Sequence, residues 1–227
     1  MPPEQREVHT VVVDAGHGGQ DPGTSHHQLR EKDLTLDIAR RLSEQLNTEG
    51  FTARLTRDRD EFIPLSDRVA IANRLQADLF VSVHINANRN RQVSGVEVYY
   101  PRESIVDPTL PFPPSVQPED VALPTTAIKQ ILWDLVLSRT RHQSVRLALH
   151  LCRALRSQLK TTCRGIHGAR FVVLREAMMP AVLVEVGYVS NQFDAQRLGD
   201  STYRQQIAEA ITDGLLAYVR ELGYEHL

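Results

Sequence analysis

Four side chains of the sequence have the types and the placement for metal-assisted hydrolysis: His17, Glu31, His84 and Glu185. His17 lies three residues past Asp14, in the loop Asp14-Ala15-Gly16-His17-Gly18-Gly19, and Glu31 stands just before the first predicted helix on the same loop system. His84 closes the predicted strand 79–83. Two imidazoles and one carboxylate are a common catalytic zinc set that leaves a fourth position for water or substrate. Glu185 closes the apolar run 181–184. A carboxylate there can take a proton from an attacking water and return it to a leaving amine. The expectation is a Zn2+ ion on His17, Glu31 and His84, with Glu185 as the catalytic base.

Each residue also has a plainer reading. His17 taken alone is a polar residue of a glycine-rich loop, and Glu31 a solvated carboxylate at a helix entry, where the helix dipole favours it. His84 alone is a hydrogen-bonded core histidine. Glu185 is harder to set aside, because a carboxylate directly after four apolar strand residues is costly to bury without a partner or a role. Four such groups at one edge of one sheet outweigh the separate plain readings. Gly16-His17-Gly18-Gly19 after a strand also suggests a phosphate-binding turn, but such a turn opens directly into a helix. Here residues 20–30, with Pro22 and Gly23, intervene.

The elements that must position these groups alternate along the chain. Short β-branched or apolar runs at 10–14, 51–56, 79–84, 95–100, 171–174 and 181–185 read as strands. The stretch 33–47 places Leu34, Ile38, Leu42 and Leu46 on one helical face before Gly50, and 66–75 reads as a helix with Val69, Ala70 and Leu75 inward. Further helices are predicted at 127–137, 144–159 and 202–222. Repeated βα units predict an α/β fold: one domain with a mostly parallel, twisted sheet of about six strands and helices on both faces. In such a sheet ligands bind at the carboxyl ends of the strands, where His17, His84 and Glu185 fall. The catalytic domain is expected over 9–224 after an N-terminal tail at 1–8, with a proline-rich loop at 101–126.

The 227 residues, 41% of them hydrophobic, suffice for a sizeable core. A formal charge of −2, from 26 basic and 28 acidic residues, argues against nucleic-acid binding. The longest apolar runs are far too short to span a bilayer. Arg146, Arg153, Arg156 and Lys160 fall near one face of the helix 144–159, opposite Leu147, Leu151 and Leu155. A solvated face is the plain reading of these cations, and contact with anionic envelope polymers the other. Cys152 and Cys163 are expected as free or buried thiols, since a large core needs no disulfide staple.

The blocks Val13-Asp14-Ala15-Gly16-His17-Gly18-Gly19-Gln20-Asp21-Pro22-Gly23, Arg30-Glu31-Lys32-Asp33, Ser82-Val83-His84-Ile85-Asn86-Ala87 and Val184-Glu185-Val186-Gly187-Tyr188-Val189-Ser190-Asn191 resemble those of the zinc-dependent N-acetylmuramoyl-L-alanine amidases of type 3. The resemblance covers about 11–219, with lesser matches at Leu55-Thr56-Arg57, 70–73 and Met179-Pro180-Ala181. It implies hydrolysis of the amide joining the lactyl group of N-acetylmuramic acid to the first L-alanine of the peptidoglycan stem peptide. It also implies His17, Glu31 and His84 as the zinc ligands and Glu185 as the catalytic carboxylate. Asp14, Asn86 and Asn191 lie in the same blocks and are candidates for orienting the ligands or touching substrate.

Two features depart from the pattern. The stretch between Gly23 and Glu31 is short and carries Ser25-His26-His27, where related sequences often have a longer glycine-containing stretch; His26 and His27 are therefore rival ligands. In some relatives an inserted helix after the position of Tyr100 covers the zinc and is displaced by an activator. The prolines of 101–126 argue against such a helix here, so no activator protein is expected. Asp134 is a conceivable fourth ligand, although Ile128, Ile131, Leu132 and Leu135 against the core would leave it in solvent.

The competing readings are a zinc peptidase acting on small or stem peptides, and a non-catalytic wall-binding module, which would have no use for a general base. The expected partner is peptidoglycan or muropeptide, bound by a monomer, with no nucleic acid and no membrane span. The expected place is the cell envelope, periplasmic or extracellular, with an export segment absent from this sequence; a cytoplasmic site stays open.

Overall fold

Val11, Val12 and Val13 are all fully buried, which a strand achieves only where both of its faces are covered. The computed structural model describes residues 8–102 and 126–223, with side chains from residue 134 onward in the second stretch. Strand β1 (Thr10–Ala15) leads into a small hairpin, β2 (Ser25–His26) and β3 (Leu29–Arg30), and then into helix α1 (Glu31–Thr48). Next come β4 (Thr52–Leu55), α2 (Leu65–Arg74), β5 (Leu79–Asn86) and β6 (Val96–Pro101). The long helix α3 (Thr126–Leu159) precedes β7 (Cys163–Ala169), the single turn α4 (Val172–Arg175) and β8 (Ala181–Tyr188). Helices α5 (Gln192–Gly199) and α6 (Ser201–Glu221) follow.

One six-stranded sheet has the order β4-β1-β5-β8-β6-β7. Its neighbours run parallel except β6 against β8. The two-residue period of a strand divides its side chains between two cores. Val11, Val13, Val81, Val83, Val182 and Val184 pack against Leu34, Ile38, Leu42 and Leu46 of α1 and against residues of α3 and α6. Val12, Phe80, Ala181 and Leu183 face the other way, onto Val69 and Ala72 of α2 and Val173 and Leu174 of α4. By the same alternation His84, Glu97 and Glu185 belong to this second face, near the carboxyl ends of β5 and β8.

Several elements differ from the sequence reading. The run 171–174 is not a strand: Val172–Arg175 is a helical turn capping the second face, and the remaining strand is β7. The glycines of β7, Gly165 and Gly168, and its lack of alternation hide it. The helices read at 127–137 and 144–159 are one helix, because the polar residues 138–143 contain neither glycine nor proline to break it. Within it Leu135 is 62% exposed rather than anchored to the core, and in the turn after α2 Leu75 is 45% exposed rather than inward. Asp134 faces solvent. The expected free thiols are instead a disulfide, Cys152–Cys163, with Cα atoms 5.7 Å apart. It fastens β7, an edge strand paired on one side only, to α3. Residues 103–125, which hold most of the proline-rich stretch, and the side chains of Ile128, Ile131 and Leu132 lie outside the described residues. Among the described residues no helix is long and apolar enough to cross a membrane.

Candidate active site

His17 must turn off the end of β1 within two residues, and it does so at φ 60, a left-handed conformation that an L-residue adopts only when its surroundings hold it there. Two buried guanidiniums do so. Arg68 donates to the carbonyls of Ala15 (2.6 Å) and His17 (2.7 Å), and Arg57 to those of Ala15 (2.9 Å), Gly16 (2.8 Å) and Lys32 (2.9 Å). Asp14 completes this support. Its carboxylate accepts from Thr56 Oγ1 (2.6 Å), Arg68 Nη1 (3.0 Å) and Ser82 Oγ (2.6 Å), so it braces the loop from beneath.

The β2–β3 hairpin turns on His27 and Gln28, both at positive φ (52 and 63), as a two-residue primed turn requires. It returns the chain so that Glu31 becomes the first residue of α1, not the residue before it. Glu31 is 2% exposed. Its Oε2 accepts from the amide (2.9 Å) and hydroxyl (3.1 Å) of Thr24, and its Oε1 from the amide of Ile85 (2.9 Å). Oε1 also lies 3.0 Å from Nδ1 of His84 and 3.2 Å from Nε2 of His17. Strand β5 runs on to Asn86 and β8 to Tyr188, so His84 and Glu185 sit within their strands rather than closing them. The register between β5 and β8 shifts between His84 and Asn86.

Donor atoms of His17, Glu31 and His84 lie within 4.8 Å of one another, so a single ion can touch all three. Asp21 Oδ2, 2.7 Å from Nδ1 of His17, turns the other ring nitrogen toward Glu31. The backbone closes tightly beneath the group. A Cβ on Gly16 would meet His84 Cε1 at 2.5 Å, and one on Gly23 would meet Glu31 Oε2 and His17 Cδ2 at 2.6 Å each. His26 and His27 stay on the hairpin, outside this group.

Glu185 is the register partner of His84 on one side and of Glu97 on the other. Its Oε2 is buried without a hydrogen-bond partner among the described residues. Burial, and then the negative charges of Glu31 and Glu97, push its carboxyl up to about 8. Glu31 goes the other way. Burial opposes its ionisation, but the hydrogen bonds and charges of His17 and His84 outweigh it and hold the carboxyl well below the usual carboxylate range. For His17, burial disfavours the charged ring, yet Glu31 and Asp21 together raise it to about 8.

The sequence reading passed over Glu97, which is 9% exposed. It accepts from the hydroxyl of Tyr99 (2.6 Å), from Nε of Arg164 (3.3 Å) and from Nδ2 of Asn86 (3.5 Å). Asn86 is thus tied to the site through Glu97. Asn191 is not: its Oδ1 caps α5 by accepting from the amides of Phe193 (3.0 Å) and Asp194 (3.1 Å).

Residues 11–217 match the family model described as N-acetylmuramoyl-L-alanine amidase. The chain is 35% identical over 224 residues to the N-acetylmuramoyl-L-alanine amidase AmiA of Escherichia coli, covering 92% of this chain and 75% of that protein. The structure of the N-acetylmuramoyl-L-alanine amidase AmiC2 of Nostoc punctiforme superposes with a TM-score of 0.72 at 34% identity, over 93% of this chain and 97% of that one. The CwlD amidase from Clostridioides difficile, solved in complex with the GerS lipoprotein, superposes with a TM-score of 0.74 at 26% identity, over 94% of this chain and 99% of that one. With sequence, fold and the matched span in agreement, the chain belongs to the N-acetylmuramoyl-L-alanine amidase family.

Proposed function

We propose that the protein is a zinc-dependent cell-wall amidase that cuts the bond between N-acetylmuramic acid and the first L-alanine of the peptidoglycan stem peptide. The observation that carries this is the meeting of His17, Glu31 and His84 at one point, with the unpartnered Oε2 of Glu185 on the adjoining strand. The donor set fits zinc: two imidazoles and one carboxylate, oriented from behind by Asp21 and Thr24. Both glycines at the closest approach leave the ligands no competing side chain.

Zinc bound there supplies Lewis acidity, which polarises the substrate carbonyl and acidifies water. His17, Glu31 and His84 hold it, and Glu31 stays ionised throughout. Glu185 Oε2 accepts a proton from the attacking water and delivers it to the nitrogen as the amide C–N bond breaks. The products are a lactyl carboxylate and the free amine of L-alanine. Glu185 Oε2 has no hydrogen-bond partner among the described residues, so no protein donor competes with the water for it.

The Cys152–Cys163 bridge supports a place in the cell envelope, where disulfides persist. The protein acts as a monomer without an activator in this reading, so the purified chain should turn over by itself. The experiment that tests the whole is digestion of muropeptides with and without a chelator. Products with a free lactyl carboxylate, abolished by the chelator and restored by zinc, are expected. A cut inside the stem, or turnover untouched by metal removal, would refute the reading.

A further inference from the structure

His17, Glu31 and His84 come from three separate segments: the loop after β1, the first turn of α1, and β5. Their spacing therefore depends on contacts between segments rather than on local geometry. The residues beside them are tied together through one guanidinium. Nη2 of Arg57 donates to the carbonyl of Gly16 (2.8 Å), directly before His17, and to that of Lys32 (2.9 Å), directly after Glu31. The amide of Gly16 donates in turn to the carbonyl of Val83 (3.0 Å), directly before His84. Thr35 Oγ1, 3.3 Å from Nη2, bonds the carbonyls of Gly16 (2.8 Å) and Lys32 (3.3 Å) as well. One hydrogen-bonded chain thus links the neighbours of all three ligands, and no atom of it belongs to a ligand side chain.

Arg57 is an expensive way to brace a turn. It is 1% exposed, and its other bonds also go to uncharged acceptors, from Nε to the carbonyl of Ala15 (2.9 Å) and from Nη1 to that of Arg59 (3.1 Å). The carboxylate of Asp14 is bonded to Arg68, Thr56 and Ser82 instead. Burial, and then the charge of Arg68, lower the proton affinity of Arg57. A buried cation held only by neutral groups opposes folding, and a fixed positive charge near a dication works against the metal. What the position uses is the shape of the group. A planar fork of five N–H donors reaches the carbonyls of Ala15, Gly16, Lys32 and Arg59 together, which a lysine ammonium on its flexible stem does not reproduce.

We propose that Arg57 is a positioning residue of the metal site, holding His17, Glu31 and His84 at coordination spacing before an ion arrives. The inference rests on the reading of these three as zinc ligands and adds what sets the distances between them. The ion then meets donor atoms already within 4.8 Å of one another, and little of its binding free energy goes into ordering the loop.

The test measures zinc affinity of the full chain by chelator competition well below the apo Tm, with cobalt in place of zinc reporting ligand geometry through its visible absorption. Arg57→Lys keeps the charge and loses the fork. It should weaken zinc binding about 10–100-fold, the range for loss of an orienting partner, and shift the cobalt band. Arg57→Met removes a positive charge near the ion, so electrostatics alone would tighten binding; it should weaken it by a similar factor instead. A purely structural arginine would lower the apo Tm and leave the affinity and the cobalt spectrum of the folded protein as in wild type. Wild-type zinc affinity in Arg57→Lys, or tighter binding in Arg57→Met, overturns the proposal. Should neither variant fold by circular dichroism, Thr35→Val removes the hydroxyl bonded to the same two carbonyls and should weaken zinc about tenfold; unchanged affinity there overturns the proposal equally. Failure of the zinc reading looks different, because wild type itself then binds no zinc, and the proposal falls with it.

Discussion

Gly16→Ala isolates the metal site from the fold. A Cβ built on Gly16 falls 2.5 Å from Cε1 of His84, and 2.7 Å from each of its ring nitrogens, whereas ordinary contact begins at 3.4 Å. The ring must therefore move by 3.4 − 2.5 = 0.9 Å at least. The backbone of His84 is held by its pairing with Glu185 of β8, one residue beyond the last β1–β5 pair, Ala15 with Val83. The displacement falls on the side-chain torsions, and the imidazole swings off Glu31. A metal ligand tolerates a distance error of about 0.2 Å, so the movement is several times what the site can absorb. Even the loss of an orienting partner weakens metal binding about 10–100-fold; a misplaced ligand should cost at least the upper end of that range. Gly16 does not have positive φ, so alanine adds no backbone strain, and the apo protein should melt near the wild-type temperature. The assay is zinc affinity by competition with a chromophoric chelator, read beside apo Tm. Gly16→Ala protein that keeps wild-type zinc affinity would refute both the placement of His84 and its role as a ligand.

Glu185→Gln should keep zinc and fold while lowering kcat by about 10²–10⁴-fold, the usual worth of a positioned acid–base group; near wild-type turnover would point to another base. The same residue sets a pH dependence in the metal-free protein. Its carboxyl stands at about 8 in the fold against an ordinary 4.5, so the fold holds this proton more tightly than the unfolded chain does. The resulting stability is fully present below about pH 4.5 and is lost as pH rises toward 8. Relative to wild type, apo Glu185→Gln should therefore gain in Tm between those values, and parallel melting curves would contradict this. Replacing both cysteines by serine opens a loop of sequence separation 11 and should cost about 3 kcal/mol on the chain-entropy account. Thermal unfolding of that variant within a degree of wild type would show that the bridge is not formed.

The four candidate groups were legible because each stands where a regular pattern stops. His17 interrupts a glycine loop, Glu31 opens a helix, His84 follows a strand-forming run and Glu185 breaks an apolar one. The helix face of α1 was equally legible, since Leu34, Ile38, Leu42 and Leu46 keep one period and all four are buried. What failed was whatever depends on partners distant in sequence. Phe171-Val172-Val173-Leu174 has the composition of a strand, and a short apolar run cannot be told from a buried helical turn by period alone. The second face needed a cap there, and the residues serve that packing. The disulfide depends on a Cα distance, which spacing along the chain does not fix.

Glu97 is the more instructive omission. Between the buried Val96 and Val98 it sits where a half-exposed antiparallel strand would place a solvated carboxylate, and the alternation Val-Glu-Val-Tyr gives no reason to think otherwise. In the fold β6 lies between β8 and β7, so that position is covered and the carboxylate is held by Tyr99, Arg164 and Asn86. Only register shows that it lies beside Glu185. Two adjacent carboxylates near the middle of a sheet oppose folding unless one is fully partnered and the other keeps its proton. Glu97 has the partners and Glu185 has none on Oε2. That asymmetry separates a carboxylate tied up by side-chain partners from one whose Oε2 is left open, which neither residue's sequence context could have shown.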